Sequence, residues 1–199
     1  PYKRIYLHLK HGRRRRKRGN RKDSRGVIPN RVPIEKRPKI VEKRIRPGDM
    51  EVDFMMGKNH KGALLVMTDR ATLHTSLHKL SNRRSETVSK AIIKNLEQVE
   101  YPMHTVTFDN DLGFANHREV AEALNVDTYF TRPYTSQDKG TVENRIGQLR
   151  RFFPKKTDLS TVTNKQVKQV EKLLNNRPVR KFNYLTPNQV LQEKIALIT

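Results

Sequence analysis

The sequence contains no cysteine. That excludes disulfides and thiolate zinc sites, and a reducing, cytoplasmic setting is expected. It lacks any apolar run long enough to span a bilayer and any recognisable signal peptide, so no membrane partner is expected. It has no internal repeats. Hydrophobic residues make up 34% of the 199, low for a globular domain yet enough for one core. Acids are outnumbered: 20 Asp and Glu stand against 42 Lys and Arg, a formal charge of +22. The chain begins at Pro1 without a Met and reads as a piece of a longer protein.

The excess charge is unevenly placed. Residues 1–48 hold 19 Lys and Arg and only 3 acids, with the densest run in GRRRRKRG, 12–19. Such a block repels itself and buries little, so an extended basic arm over 1–48 is expected. Its natural partner is a nucleic acid, because each phosphate contact releases counterions. Arg13, Arg14, Arg15, Arg16, Lys17 and Arg18 are the candidate contacts. A solvated tail or a localisation signal would use the same charges. No amphipathic apolar face accompanies the run, which argues against a membrane surface.

After Pro47-Gly48 the texture changes. DMEVDFMMG (49–57) alternates, with Asp49, Glu51 and Asp53 on one face and Met50, Val52, Phe54 and Met56 on the other. GALLVMTDR (62–70) is a near-continuous apolar run, as a central strand requires, and TLHTSLHKL (72–80) alternates again. Short turns between these three predict an antiparallel meander. Val88, Ile92, Ile93 and Leu96 recur at helical spacing within 84–99. HTVTFD (104–109) and VDTYFT (126–131) read as strands around a helix over 116–125 with Asn116 as N-cap. Further helices are expected over about 138–153, with Val142, Ile146, Leu149 and Phe153 buried, over 164–178, and over 186–194 with Pro187 in its first turn. A meander followed by α-β units predicts an α/β fold: a mixed five-stranded sheet with helices on its faces. The expected division is the arm at 1–48, a core at 49–160 and a helical extension at 161–199.

Three acids then acquire a common location. Asp53 lies mid-strand, Asp109 closes the fourth strand, and Glu143 sits about 100° round its helix from Val142, at the rim of the core stripe. Sites in α/β sheets gather at strand C-termini and at topological switch points. Clustered carboxylates repel one another, and hard divalent cations relieve that repulsion. Two such ions roughly 3.5–4 Å apart can clamp both oxygens of an in-line displacement at phosphorus. A basic scaffold with an acidic pocket therefore suits metal-dependent chemistry on a nucleic acid. Asp49 and Glu51 share the face of Asp53 and remain rival ligands. Asp69 reads as a turn-former and Asp111 as a loop residue. His60, His74, His78, His104 and His117 show no metal-ligand spacing. Lys139, Asn144, Arg145, Arg150 and Arg151 flank Glu143 and are candidate DNA contacts, although a solvated helix face would look the same. Gly147, one turn after Glu143, admits either close DNA approach or close packing.

The stretches GDMEVDFMMGKNHKGALLVMTDR, TFDND followed by FANHREVAEALNVDTYFTRPYTSQDKGTVENRIGQLRRFFPKKTDLS, and LLNNRPVRKFNYLTPNQVL resemble the catalytic half of bacterial insertion-sequence transposases of the IS-thirty family. These are similar to retroviral integrases. The resemblance runs from about residue 22 to residue 193. It implies a ribonuclease-H-like core with a catalytic, metal-holding triad of Asp53, Asp109 and Glu143, and Mg²⁺ as cofactor with Mn²⁺ able to substitute. It implies cleavage at element ends and strand transfer of the 3′-hydroxyl into target DNA, by a homodimer or larger homo-oligomer associated with the bacterial nucleoid. The family's end-binding helix-turn-helix region is not in this sequence. Two departures stand out: Met50 replaces a usual Trp, and Asp111 replaces a usual Gly, where a left-handed turn would be expected. A non-catalytic DNA-binding derivative, a metal nuclease without strand transfer and a basic RNA-binding protein are the rival readings.

Overall fold

A computed structural model describes residues 28–132 and 136–197 of the chain. The short helix α1 (Lys39–Lys43) precedes three strands, β1 (Asp49–Met56), β2 (Ala63–Asp69) and β3 (Thr75–Leu80). There follow α2 (Ser85–Leu96), β4 (Thr105–Phe108), α3 (His117–Leu124), β5 (Asp127–Phe130), α4 (Gly140–Leu149), α5 (Asn164–Asn175) and α6 (Pro187–Ala196). The sheet order is β3-β2-β1-β4-β5. β1 pairs antiparallel with β2 and parallel with β4, so the chain's direction switches at β1. The expected meander and mixed five-stranded sheet are both present.

The period-two pattern of β1 separates two cores. Met50 and Val52 face a layer built from α2 and α3, with Val88, Ile92, Val106, Phe108 and Val120. Met55 faces the other layer with Leu64, Val66, Val142, Leu149 and Val167. Because β2 is buried on both faces, its run has no polar residue before Thr68. On the α4 side, the outer half of the sheet carries Asp49, Glu51 and Asp53 on β1 and Thr105 and Thr107 on β4, with Asp109 just beyond. Apolar packing therefore gives way here to buried polar side chains, with Asp49, Glu51, Thr105 and Thr107 all within the interior.

The packed domain includes part of the expected arm. Ile28 enters the first core, Val41 is fully buried, and Val32 accepts a hydrogen bond from the Phe130 N–H beside a Pro33–Phe130 bridge. Residues 28–48 are thus docked rather than extended, because their scattered apolar side chains find the sheet edge. Gly48 turns the chain into β1 at φ +95°, where a Cβ would meet the Pro102 carbonyl oxygen at 2.1 Å. Residues 1–27, with the whole Arg13–Arg18 run, lie outside the described residues.

At the other end, α5 belongs to the second core. Val167, Val170 and Leu174 are buried, each contributing about 1.5–3 kcal/mol by transfer from water. Asn175 brackets the Thr75 backbone, accepting from its N–H at 2.9 Å and donating to its carbonyl at 2.8 Å. Capping boxes Thr163–Gln166 and Thr186–Gln189 start α5 and α6, and Pro187 opens α6 as expected. Asn116 precedes α3 but makes no side-chain cap. Helix α4 is shorter than expected, since a 3₁₀ turn at Ser136–Lys139 leads into it.

Candidate active site

The parallel register sets Glu51 opposite Thr107, and Asp53 and Asp109 each follow that pair by two residues. The two carboxylates share a cation. Lys139, only 5% exposed, donates from Nζ to Asp53 Oδ2 at 2.7 Å and stands 3.5 Å from Asp109 Oδ2. Asp53 Oδ1 also accepts from the Phe54 N–H, and Asp109 Oδ1 from the Asp111 N–H. Burial pushes the Asp109 pKa up, as does the Asp53 charge, while Lys139 opposes both. Glu143 lies on the exposed side of α4. Its pKa is also raised, first by partial desolvation, then by Asp53 and Glu51 against the pull of Lys139. The three acids expected to act together thus share one electrostatic neighbourhood.

Among the described residues, no three Asp, Glu or His side chains form a ready-made cation cage. The donor set nevertheless fits a hard divalent ion. The ammonium of Lys139 occupies the cation position between two carboxylates, and Mg²⁺ characteristically uses one or two carboxylates with water and substrate phosphate completing the shell. Asp53 and Asp109 would hold it, with Glu143 alongside.

The rival ligands are otherwise engaged. Asp49 accepts from Arg46 and from Thr105 Oγ1. Glu51, fully buried, gives one oxygen to Arg70 and the other to the Val142 N–H. Asp69 is the expected turn-former: it accepts from the N–H groups of Gly48, Ala71 and Thr72 and from the Thr72 hydroxyl. Asp111 does not adopt the left-handed turn expected at its position. At φ −80° and ψ 136° it caps a 3₁₀ turn by accepting from the Gly113 N–H, and it pairs with Arg83 at 2.9 Å. Aspartate is therefore accommodated there without backbone strain.

The basic residues around Glu143 divide. Asn144 and Arg151 are exposed, as a phosphate contact requires. Arg145 is not: it is 1% exposed and donates from Nε and Nη2 to the Leu73 carbonyl at 3.1 and 2.5 Å. It faces inward because Val142 and Leu149, either side of it on the same helix face, draw that face onto the sheet. Burial and Arg177 push its pKa down to about 10. Arg150 is half-buried and donates to the Met56 carbonyl at 2.8 Å, which leaves its Nη1 buried without a hydrogen-bond partner. Lys139 is spent on the two aspartates. Arg70 and Glu42, which build onto this site, were not singled out by the sequence. The only signal for Arg70 was a charge at the end of an otherwise apolar strand.

Gly147 is exposed, and a Cβ added there meets nothing within 4 Å. The close-packing explanation of this glycine therefore does not hold.

No family model matches the chain. It is 46% identical over 184 residues to the transposase of insertion sequence element IS4351 from Bacteroides fragilis, covering 92% of this chain and 56% of the relative. It is 33% identical over 193 residues to transposase InsI of element IS30A from Escherichia coli K12, covering 95% and 49%. The chain thus spans about half the length of the curated relatives it matches. Among solved structures it resembles the BIV integrase catalytic core domain, with a TM-score of 0.57 and 16% identity, covering 76% of this chain and 99% of that one. A simian T-cell lymphotropic virus intasome chain superposes with a TM-score of 0.61 and 15% identity, covering 73% and 55%. At these identities the likeness establishes the fold, which is the ribonuclease-H-like one expected. Over the matched residues the sequence is thus similar to bacterial insertion-sequence transposases, those of the IS-thirty type among them.

Proposed function

We propose that this chain is the catalytic part of a DNA transposase that cleaves DNA at element ends and transfers the 3′-hydroxyl into target DNA. The observation that carries the reading is the Asp53–Lys139–Asp109 arrangement, a carboxylate on β1 and another just past the end of the parallel strand β4 sharing a buried ammonium. A cation site built from two aspartates, beside an exposed glutamate and within a basic chain, suits phosphodiester chemistry. A divalent metal bound there would supply an activated oxygen nucleophile and charge neutralisation at phosphorus. Asp53 and Asp109 orient toward that position, and Glu143 borders it from α4. Asn144 on α4 and Arg151 just past its end present donors to a phosphate backbone, and the Arg13–Arg18 run supplies long-range attraction. The open flank at Gly147 lets a duplex approach Glu143 without collision. A homodimer or larger assembly is the working form this reading requires, because two element ends must be joined.

The test is joining of labelled oligonucleotides, drawn from sequences flanking the reading frame, to plasmid DNA with Mg²⁺. Joined product with the wild-type chain, absent for Asp53→Asn, Asp109→Asn and Glu143→Gln, is expected. Cleavage without joining would make it a nuclease. DNA binding with no chemistry under Mg²⁺ or Mn²⁺ would make it a non-catalytic DNA-binding protein.

A further inference from the structure

Helix α4 carries Glu143 yet makes no cap of its own. Lys139 stands at its N-cap position, forms no side-chain bond to the helix, and directs its ammonium to the aspartates instead. One of the free N–H groups that every helix start presents is taken from outside: the Val142 N–H donates to Glu51 Oε2 at 2.8 Å. Glu51 lies on β1, two residues before Asp53 and on the same face. Val142 immediately precedes Glu143. One hydrogen bond therefore joins the strand bearing the first acid to the helix bearing the third.

Glu51 is itself held. Its Oε1 accepts from Arg70 Nη1 at 2.8 Å, and the two side chains are 0% and 2% exposed. Arg70 Nη2 reaches Glu42 at 2.9 Å, Glu42 also pairs with Arg37, and Arg37 donates to Thr107 Oγ1 at 2.8 Å, two residues before Asp109. The chain of charged groups thus touches all three elements that carry the triad. A buried ion pair is a weak device for stability, since apolar residues of equal size commonly serve as well, but it fixes geometry closely.

We propose that Glu51 is a positioning residue of the catalytic centre, its carboxylate locked by Arg70 so that it sets the place of α4, and with it Glu143, relative to Asp53 and Asp109. This rests on the transposase reading of the site. Glu51 touches neither metal nor DNA in this role, which separates it from the ligand role that its strand face alone allowed.

Two variants test it. Glu51→Met with Arg70→Met removes both charges and the acceptor for the Val142 N–H while keeping volume. Glu51→Asp keeps a charge for Arg70 but withdraws the carboxylate from Val142 by one methylene. Each is assayed for end joining at saturating DNA, for the KM for DNA, for Mn²⁺ binding without DNA, and for hydrogen exchange at the Val142 amide. Positioning predicts a fall of about 100-fold in the joining rate with the KM for DNA unchanged, the cost of misplacing a reacting group by about 1 Å. It also predicts weaker Mn²⁺ binding and faster Val142 exchange in both variants. A third, rescue variant that combines Glu51→Gln with Arg70→Met restores an uncharged acceptor for Val142 and should recover most of the rate. Folded variants that join at the wild-type rate overturn the proposal. So does failure of both to fold, which would assign the network to holding the fold. Should the wild-type chain join no DNA, Mn²⁺ binding and Val142 exchange still decide the role of Glu51, and unchanged values would overturn it.

Discussion

Lys139 is the cation that two acids share. It neutralises Asp53 and Asp109, which would otherwise face each other uncompensated. Lys139→Met should therefore bind Mn²⁺ more tightly in the absence of DNA, several-fold by titration calorimetry, because the ion no longer competes with an internal ammonium. The two aspartates should respond differently to amide substitution. Asp109 carries a pKa raised mainly by burial, so its ionised form is costly, and Asp109→Asn should raise Tm by about 1–3 °C at pH 7. Asp53→Asn removes the closer partner of Lys139 and should lower Tm instead. Differential scanning calorimetry of the two variants checks the opposite signs. Both should abolish strand transfer.

Helix α4 shows how an element is held by its polar residues as much as by its apolar stripe. Val142 and Leu149 bury against the sheet, while Glu51, Arg145 and Arg150 tie the helix to β1, the β2–β3 turn and the end of β1. Its outward face is left free at Gly147. Gly147→Ala should stabilise the chain by about 0.5–1 kcal/mol in urea unfolding, since a glycine inside a helix is unfavourable and the added Cβ meets nothing. Gly147→Leu should remain folded and bind Mn²⁺ while losing strand transfer; retained transfer would remove the DNA-approach role. Close by, His74 has a pKa lowered to about 4 by burial and by the charges of Arg145 and Lys168. A histidine depressed in the folded state binds its proton more readily when unfolded. Stability is thus fully present above about pH 6.5 and is lost as pH falls toward 4, by on the order of 1–3 kcal/mol. Urea melts at pH 7 and pH 4.5 should show this loss, and His74→Leu should flatten it.

Over the whole molecule, charge is arranged against structure. Asp49, Glu51, Asp53 and Asp109 gather on and beside β1 and β4, while much of the cationic excess of the sequence lies in residues 1–27. Deleting residues 1–22 should weaken DNA binding without regard to sequence and flatten the dependence of log K on log salt. An unchanged salt slope would show that those cations do not meet phosphate. Among the described residues no helix is long and apolar enough to cross a membrane.

Local pattern determined much of this. The alternation in 49–57, the two-sided apolar run at 62–70 and the helical spacing at 84–99 are short-range consequences of which residues can be buried, and each element appears in the structure near its expected place. The approximate positions of Asp53, Asp109 and Glu143 followed from the same periodicities. Pairing decided the rest. No local pattern distinguishes Asp53 from Glu51, which share a strand face. Only tertiary packing gives Glu51 a helix N–H from α4 and an arginine from the end of β2, while Asp53 is left to Lys139. Arg145 and Arg151 look alike in sequence, yet Arg145 lies on the buried face of α4 with Val142 and Leu149, while Arg151 falls past the helix end and is exposed. Residues 28–48 read as a charged tail because their apolar side chains are too sparse to form a core alone. They fold because the edge of β5 pairs with Val32 and Pro33, the core takes in Ile28, and Thr107 accepts from Arg37, partners that local sequence lacks.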